Sequence, residues 1–284
     1  MTRSDDAVLM SRAQIPSAHR IVVKVGSSSV SGANAGQIAR LVDALAVLHA
    51  RGAEVILVSS GAIATGIPYL KLVGRPTDLA TQQAAAAVGQ NVLIFRYQES
   101  LDRHRIVAGQ VLLTAGDLSN RGHRNNAQRA MERLLSLRIL PIVNENDTVA
   151  THEIRFGDND RLAALVSRFM HADLLLLLSD VDGLYTKPPQ QAGAQRIDRV
   201  RFEDALPGVE FGAASDTGVG TGGAVTKVAA ARLAASAGTA VLFAATADVA
   251  AALRGDAIGT WFDPAPIEAR SDAYDDSATA LLPG

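Results

Sequence analysis

The 284-residue chain contains no cysteine, which excludes disulfides, thiolate catalysis and cysteine-based zinc sites. Aromatic residues make up only 4% of it, and no aromatic platform for stacking bases is visible. Neither sign of charge dominates: 27 Lys and Arg stand against 29 Asp and Glu, a formal net charge of −2. The basic domain or stripe that usually marks a nucleic-acid binder is missing. Long apolar runs are missing too, since the densest, Leu174–Leu178, is far too short to span a bilayer. The N-terminal stretch carries Asp5 and Asp6 and no apolar core, so it does not read as a secretory signal. These absences point to a cytoplasmic protein with neither a nucleic-acid nor a membrane partner. Asn146-Asp147-Thr148 fits a glycosylation sequon but has no secretion signal to make it one. Six scattered histidines show no metal-binding spacing.

What is present is a strand–helix alternation. Apolar strands are expected at Ile21–Val25, Glu54–Val58, Ile106–Leu113, Ile139–Val143, Asp173–Leu178 and Thr239–Ala244. Helices are expected at Gln37–His49, at 78–101 with Asp78 as cap, at Asn125–Leu137, from about Asp158, at Thr226–Ala237 and at Val249–Arg254. The strands are apolar throughout rather than alternating, which implies burial on both faces in a mostly parallel sheet between helix layers. The fold class is therefore α/β. One domain over 20–263 is expected, with a loose tail over 1–19 and another over 264–284. The 186–217 stretch reads as irregular and polar, with room for a small hairpin. The Ala-rich helix at 78–101 is suited to close packing, either inside the chain or on a partner subunit.

Four polar clusters fall where strands end: Gly26-Ser27-Ser28-Ser29, Ser59-Ser60-Gly61, Asn144-Glu145-Asn146-Asp147 and Ser179-Asp180. One such cluster is ordinary turn chemistry. Four together suggest a site, because ligands of open α/β sheets gather beyond the carboxyl ends of the strands.

Lys24 lies inside an apolar strand, where a buried ammonium needs an anionic partner. Gly26 and three hydroxyls follow, so Lys24 can point at a phosphoryl group. Gly218-Val219-Gly220-Thr221-Gly222-Gly223 opens a helix that carries Lys227. Backbone amides at a helix start attract anions, and Lys227 can reach back to terminal phosphates. The chain has no Walker P-loop. The stretch matches GxGxxG, but a dinucleotide fold wants a strand just before it and an acid ending the next strand. Here Ser215-Asp216-Thr217 precedes it and the next strand ends in Ala244-Ala245. Asp158 is a natural N-cap. Asp160, at the same helix start, is an acid able to orient both lysines.

These motifs, in this order, resemble the amino acid kinase family, and within it the kinases of free glutamate. The resemblance rests on Val22–Ser28, Ser59–Gly66, Ala87–Gln90, Gly109–Thr114, Pro141–Asp147, Phe156–Asp160, Ser179–Thr186 and Gly220–Lys227. It implies a three-layer αβα sandwich and transfer of the γ-phosphoryl group of ATP, with Mg²⁺, to the side-chain carboxylate of glutamate. Lys24 and Lys227 would stabilise the migrating group, and Asp160 would hold both. Ser60, Asp147 and Asn159 would bind glutamate. Ser179, Asp180 and the run Thr221, Gly222, Gly223, Ala224, Val225, Thr226 and Lys227 would hold ATP, together with Lys24. The sequence names no metal ligand. The resemblance further implies a homodimer or homotetramer, feedback inhibition by proline, and delivery of the labile product to glutamyl-phosphate reductase. Many such kinases carry a C-terminal PUA domain, and the tail after Gly259-Thr260-Trp261-Phe262 is too short for one. Two other readings stand beside this one: a sister kinase of acetylglutamate or aspartate, and a non-catalytic nucleotide-binding regulator.

Overall fold

The computed structural model describes residues 8–71, 76–150, 159–210 and 223–270. Eight strands form one sheet: β1 (Arg20–Val25), β2 (Glu54–Val58), β3 (Ala108–Leu113), β4 (Leu140–Glu145), β5 (Leu174–Ser179), β6 (Arg199–Val200), β7 (Ala240–Ala245) and β8 (Thr260–Phe262). Their order is β3-β4-β2-β1-β5-β7-β8-β6. Every pairing is parallel except that of β7 with β8. The helices are α1 (Ser27–Val30), α2 (Gln37–Ala50), α3 (Ala62–Gly66), α4 (Leu79–Asp102), α5 (Ala115–Ser119), α6 (Arg121–Ser136), α7 (Asn159–Phe169), α8 (Ala224–Ser236) and α9 (Val249–Arg254).

The central strands are buried along their whole length because helices cover both faces of the sheet. Side chains alternate between two apolar cores. Ile21, Val23 and Val25 join Leu174, Leu176 and Leu178 with α2, α4 and α9. Val22 joins Ile56, Leu175 and Leu177 with α6, α7 and α8. Full burial of one such aliphatic side chain contributes about 1.5–3 kcal/mol. Lys24 has the parity of Val22, so it rises on the α7/α8 side.

At the opposite end of the sheet Arg20 is also buried, salt-bridged to Glu54 at 2.6 Å and Glu132 at 2.8 Å. Burial works against its charge, but hydrogen bonds to the two carboxylates outweigh this and raise its pKa.

Several elements differ from expectation. Helix α6 begins at Arg121, because Asn120 caps it by accepting from the His123 N–H at 3.0 Å. Strand β3 begins at Ala108, after the left-handed Arg105, and as an edge strand it is only half-buried. Strand β8 was not foreseen, and β6 lies in the stretch read as irregular, where an antiparallel bridge between Tyr185 and Arg196 agrees with the small hairpin allowed there. The segment expected as a loose tail is packed where it is described. Arg12–Ser17 is a 3-10 turn with Ile15 fully buried, and Arg12 donates to the Ile258 carbonyl at 2.8 Å. An apolar anchor and a guanidinium tied to backbone carbonyls are enough to hold it down.

The Ala-rich helix packs inside the chain along one face. A Cβ at Gly89 would lie 1.8 Å from the Ala62 carbonyl, and one at Gly66 would lie 1.9 Å from the Ala85 carbonyl. Only glycine lets α3 and α4 approach so closely.

Candidate active site

The ends of β1, β2, β4 and β5 and the starts of α7 and α8 meet where the connections of the sheet diverge. The connection leaving β1 runs to β2, while the one leaving β5 runs to the opposite edge of the sheet. The crevice at such a switch point is where open α/β sheets bind ligands. Lys24 stands there near the end of β1, beside Leu177 of β5.

Asp160, on the first turn of α7, is completely buried. Its Oδ1 is salt-bridged to the Lys24 ammonium. Its Oδ2 accepts from Lys227 Nζ at 2.9 Å. Lys24 is 3% exposed and Lys227 8%. Two ammonium groups thus share one buried carboxylate inside a protein wall. Removing one partner of such a buried group leaves an uncompensated charge, at a cost of about 3–5 kcal/mol.

Beside this trio runs a chain of amides. Asn159 Nδ2 directs its two hydrogens at the Ser59 carbonyl, 2.7 Å away, and Asn144 Oδ1, 2.8 Å away, with Ser60 Oγ also beside it at 3.0 Å. Its own Oδ1 is buried with no hydrogen-bond partner among the described residues. Asn144 Nδ2 donates to Gln90 Oε1 on α4 at 2.6 Å. One helical turn pair further on, Tyr97 OH lies 2.9 Å from Ser59 Oγ. Burial raises the pKa of this phenol, and the Ser59 hydrogen bond only partly opposes it. Gly61, which starts α3, has φ +91°, the left-handed region that glycine supplies. It turns the chain so that Ser60 faces Asn159.

A third group fastens the neighbouring strand ends. Thr246 Oγ1 donates to the Ser179 carbonyl at 3.0 Å and lies 2.8 Å from Ser29 Oγ. The threonine hydrogen is committed to the carbonyl, so Ser29 donates to Thr246. This ties α1, after β1, to the end of β5.

The structure thus gathers Lys24, Lys227, Asp160, Asn159 and Ser60. Ser179 stands at the end of the neighbouring β5, where its hydroxyl donates to Asp180 at 2.9 Å and Asp180 is exposed. Asp147 lies half-buried in the turn after β4. Gly223 caps α8, Thr226 Oγ1 donates back to its carbonyl at 2.9 Å, Ala224 is half-buried, and Val225 is 54% exposed. Thr221, Gly222, Gly218, Gly220 and Asp158 lie outside the described residues. Gln90 and Tyr97 were given no role by the sequence reading. Their signal is a polar pair seven residues apart on the buried stripe of α4, among Ala86, Gly89 and Leu93.

A mostly parallel sheet with two buried ammonium groups at its switch point defines an α/β protein with its charged cluster in the crevice where such sheets bind ligands. The family model of the amino acid kinase family matches residues 19–244, and the chain belongs to that family. It is 76% identical over 254 residues to a glutamate 5-kinase of Clavibacter michiganensis subsp. michiganensis, covering 89% of this chain and 98% of that protein. It is 55% identical over 258 residues to a glutamate 5-kinase of Thermobifida fusca, of which the match covers 66%. The relatives therefore come in a short and a long form. Among solved structures, a carbamate kinase from Giardia lamblia bound to AMP-PNP superposes with a TM-score of 0.65 at 14% identity, covering 88% of this chain and 100% of that one. That likeness concerns the fold.

Proposed function

We propose that this chain transfers the γ-phosphoryl group of ATP to the γ-carboxylate of L-glutamate, giving L-glutamyl 5-phosphate and ADP, the opening step of proline biosynthesis. The observation that carries the phosphoryl chemistry is the convergence of Lys24 and Lys227 on Asp160. Glutamate as acceptor is supported by 76% identity to a glutamate 5-kinase over nearly its whole length.

A carboxylate is already a nucleophile at neutral pH, so no general base is needed. One of its oxygens attacks the γ-phosphorus while the bond to the β,γ-bridging oxygen breaks and ADP leaves. The loose transition state spreads charge over the equatorial oxygens, and catalysis is positioning plus charge stabilisation. Lys24 and Lys227 would meet that charge with no reorganisation, since Asp160 already aims both. The buried Asn159 Oδ1 would accept from the α-ammonium of glutamate. Ser60 and Asp147 would complete the amino-acid site, and Ser179, Asp180 and 221–227 the nucleotide site.

Mg²⁺ is the usual companion of ATP in kinases, and when bound it neutralises phosphate charge. Among the described residues no three carboxylate or imidazole side chains converge, and no residue is assigned to the metal. No helix of the described residues is long and apolar enough to cross a membrane. We place the activity in the cytoplasm, with the water-labile product passed on promptly to a reductase.

Incubation with ATP, Mg²⁺, glutamate and hydroxylamine tests the proposal. Glutamyl hydroxamate should accumulate, and only an acyl phosphate intermediate yields it. Adduct formed instead with aspartate or acetylglutamate would reassign the acceptor. ATP binding with no adduct from any acid would leave a nucleotide-binding regulator.

A further inference from the structure

Phosphoryl transfer does not account for the buried carboxamide of Gln90, which comes from the middle of α4 and is 9% exposed. We infer that Gln90 is a positioning residue for the amino-acid substrate: acting through Asn144, it holds the Asn159 carboxamide with its oxygen bare and its nitrogen engaged.

Two backbone groups define every orientation in this chain of amides. The Glu145 N–H, which can only donate, lies 2.9 Å from an Asn144 side-chain atom, so that atom is Oδ1. The nitrogen of Asn144 therefore faces Gln90 at 2.6 Å, and Gln90 must offer Oε1. Asn144 Oδ1 also receives Asn159 Nδ2 at 2.8 Å. That same nitrogen reaches the Ser59 carbonyl, which can only accept, at 2.7 Å. Nothing is left for Asn159 Oδ1 among the described residues, and a donor such as the substrate's ammonium would satisfy it.

Without an acceptor at Gln90, the Asn144 nitrogen is stranded in a site only 1% exposed. Flipping Asn144 gives no relief, because its nitrogen would then oppose the donors of Glu145 and Asn159. The side chain must shift, and Asn159 loses its support. The chain of amides ends on Asn159, the residue assigned to glutamate, so the effect is expected on the amino acid more than on ATP.

The inference rests on the proposed glutamate kinase activity, and the test separates the two. Glutamate-dependent ADP release and calorimetric glutamate binding are first measured on the unaltered chain; absence of both sinks the activity and the relay together. Steady-state kinetics then compare Gln90→Met, which keeps length but offers no acceptor, with Gln90→Glu, which keeps one. Gln90→Leu replaces the methionine variant should that not fold. KM for glutamate should rise roughly 10-fold in Gln90→Met, the scale of one buried hydrogen bond. KM for ATP should stay within about twofold, and Gln90→Glu should recover most of the loss. An active wild type with an unmoved glutamate KM in Gln90→Met overturns the relay alone. A parallel rise in both KM values, or a Gln90→Glu variant no better than Gln90→Met, overturns it as well.

Discussion

Lys24 and Lys227 occupy opposite oxygens of one carboxylate, Lys24 on Asp160 Oδ1 and Lys227 on Oδ2 at 2.9 Å. One comes from a central strand and the other from a helix about two hundred residues later. Sharing a single counter-ion draws two like charges together and still directs each along its own line. A lone lysine at the switch point would lack that direction.

Replacing either lysine with alanine should lower kcat by roughly 10² or more, the scale of losing one preorganised donor. KM for glutamate should change less, because neither ammonium is assigned to the amino acid. Initial-rate measurements on Lys24→Ala, Lys227→Ala and the double variant check this. Near-normal turnover in the double variant would remove both from the chemistry.

Asp160→Leu alone should cost about 3–5 kcal/mol, since it removes the buried carboxylate that two buried ammonium groups share. Adding Lys24→Met and Lys227→Met should restore much of that stability without restoring activity, because the two ammonium groups are then gone with the carboxylate they shared. Denaturant melts of the single and triple variants would separate this from simple loss of packing, for which the triple would be the weakest of all.

Gly89→Ala should destabilise the fold by about 1–3 kcal/mol or more, the cost of forcing a methyl into a filled contact. The new Cβ would sit 1.8 Å from the Ala62 carbonyl, which is backbone and cannot swing aside. Ala87→Gly, at an exposed position of the same helix, is the control and should cost only about 1 kcal/mol by helix propensity. Equal melting temperatures for the two variants would contradict the packing argument.

His49 makes stability depend on pH. Burial lowers its pKa, outweighing the raising effect of the hydrogen bond to the Arg138 carbonyl. Its folded pKa therefore lies below its unfolded one, and the unfolded chain binds the proton more readily. His49 costs nothing at high pH. Its contribution should fall as pH drops below about 6.5, the unfolded value, and level off beneath the folded value. His49→Gln should flatten that part of a stability–pH curve, and a curve unchanged by the substitution would exclude this origin.

Much of the architecture was readable in the chain because its central strands are covered on both faces. Leu174–Leu178 is apolar without a break, Ile21–Val25 is broken only by Lys24, and Asp78 caps α4 by accepting from the Thr81 N–H at 2.8 Å. The direction of β8 was not readable, because hydropathy is blind to strand direction and only its pairing with β7 sets it. The burial of Ile15 was missed because one isoleucine in a polar stretch has no period to announce it. In the site, Lys24 and Asp160 stood out as charges in apolar or capping positions. Gln90 did not, since it is one of four glutamines in an Ala-rich helix and resembles a solvated residue until the buried face is known.

The alternation along β1 has a genetic corollary. Hydrogen bonds to β2 on one side and β5 on the other lock this strand between two neighbours. Losing one codon between Arg20 and Val23 would carry Lys24 into the opposite helix layer, away from Asp160, even if every hydrophobic residue found a new place. Point changes among these valines and isoleucines can therefore drift, while their number cannot.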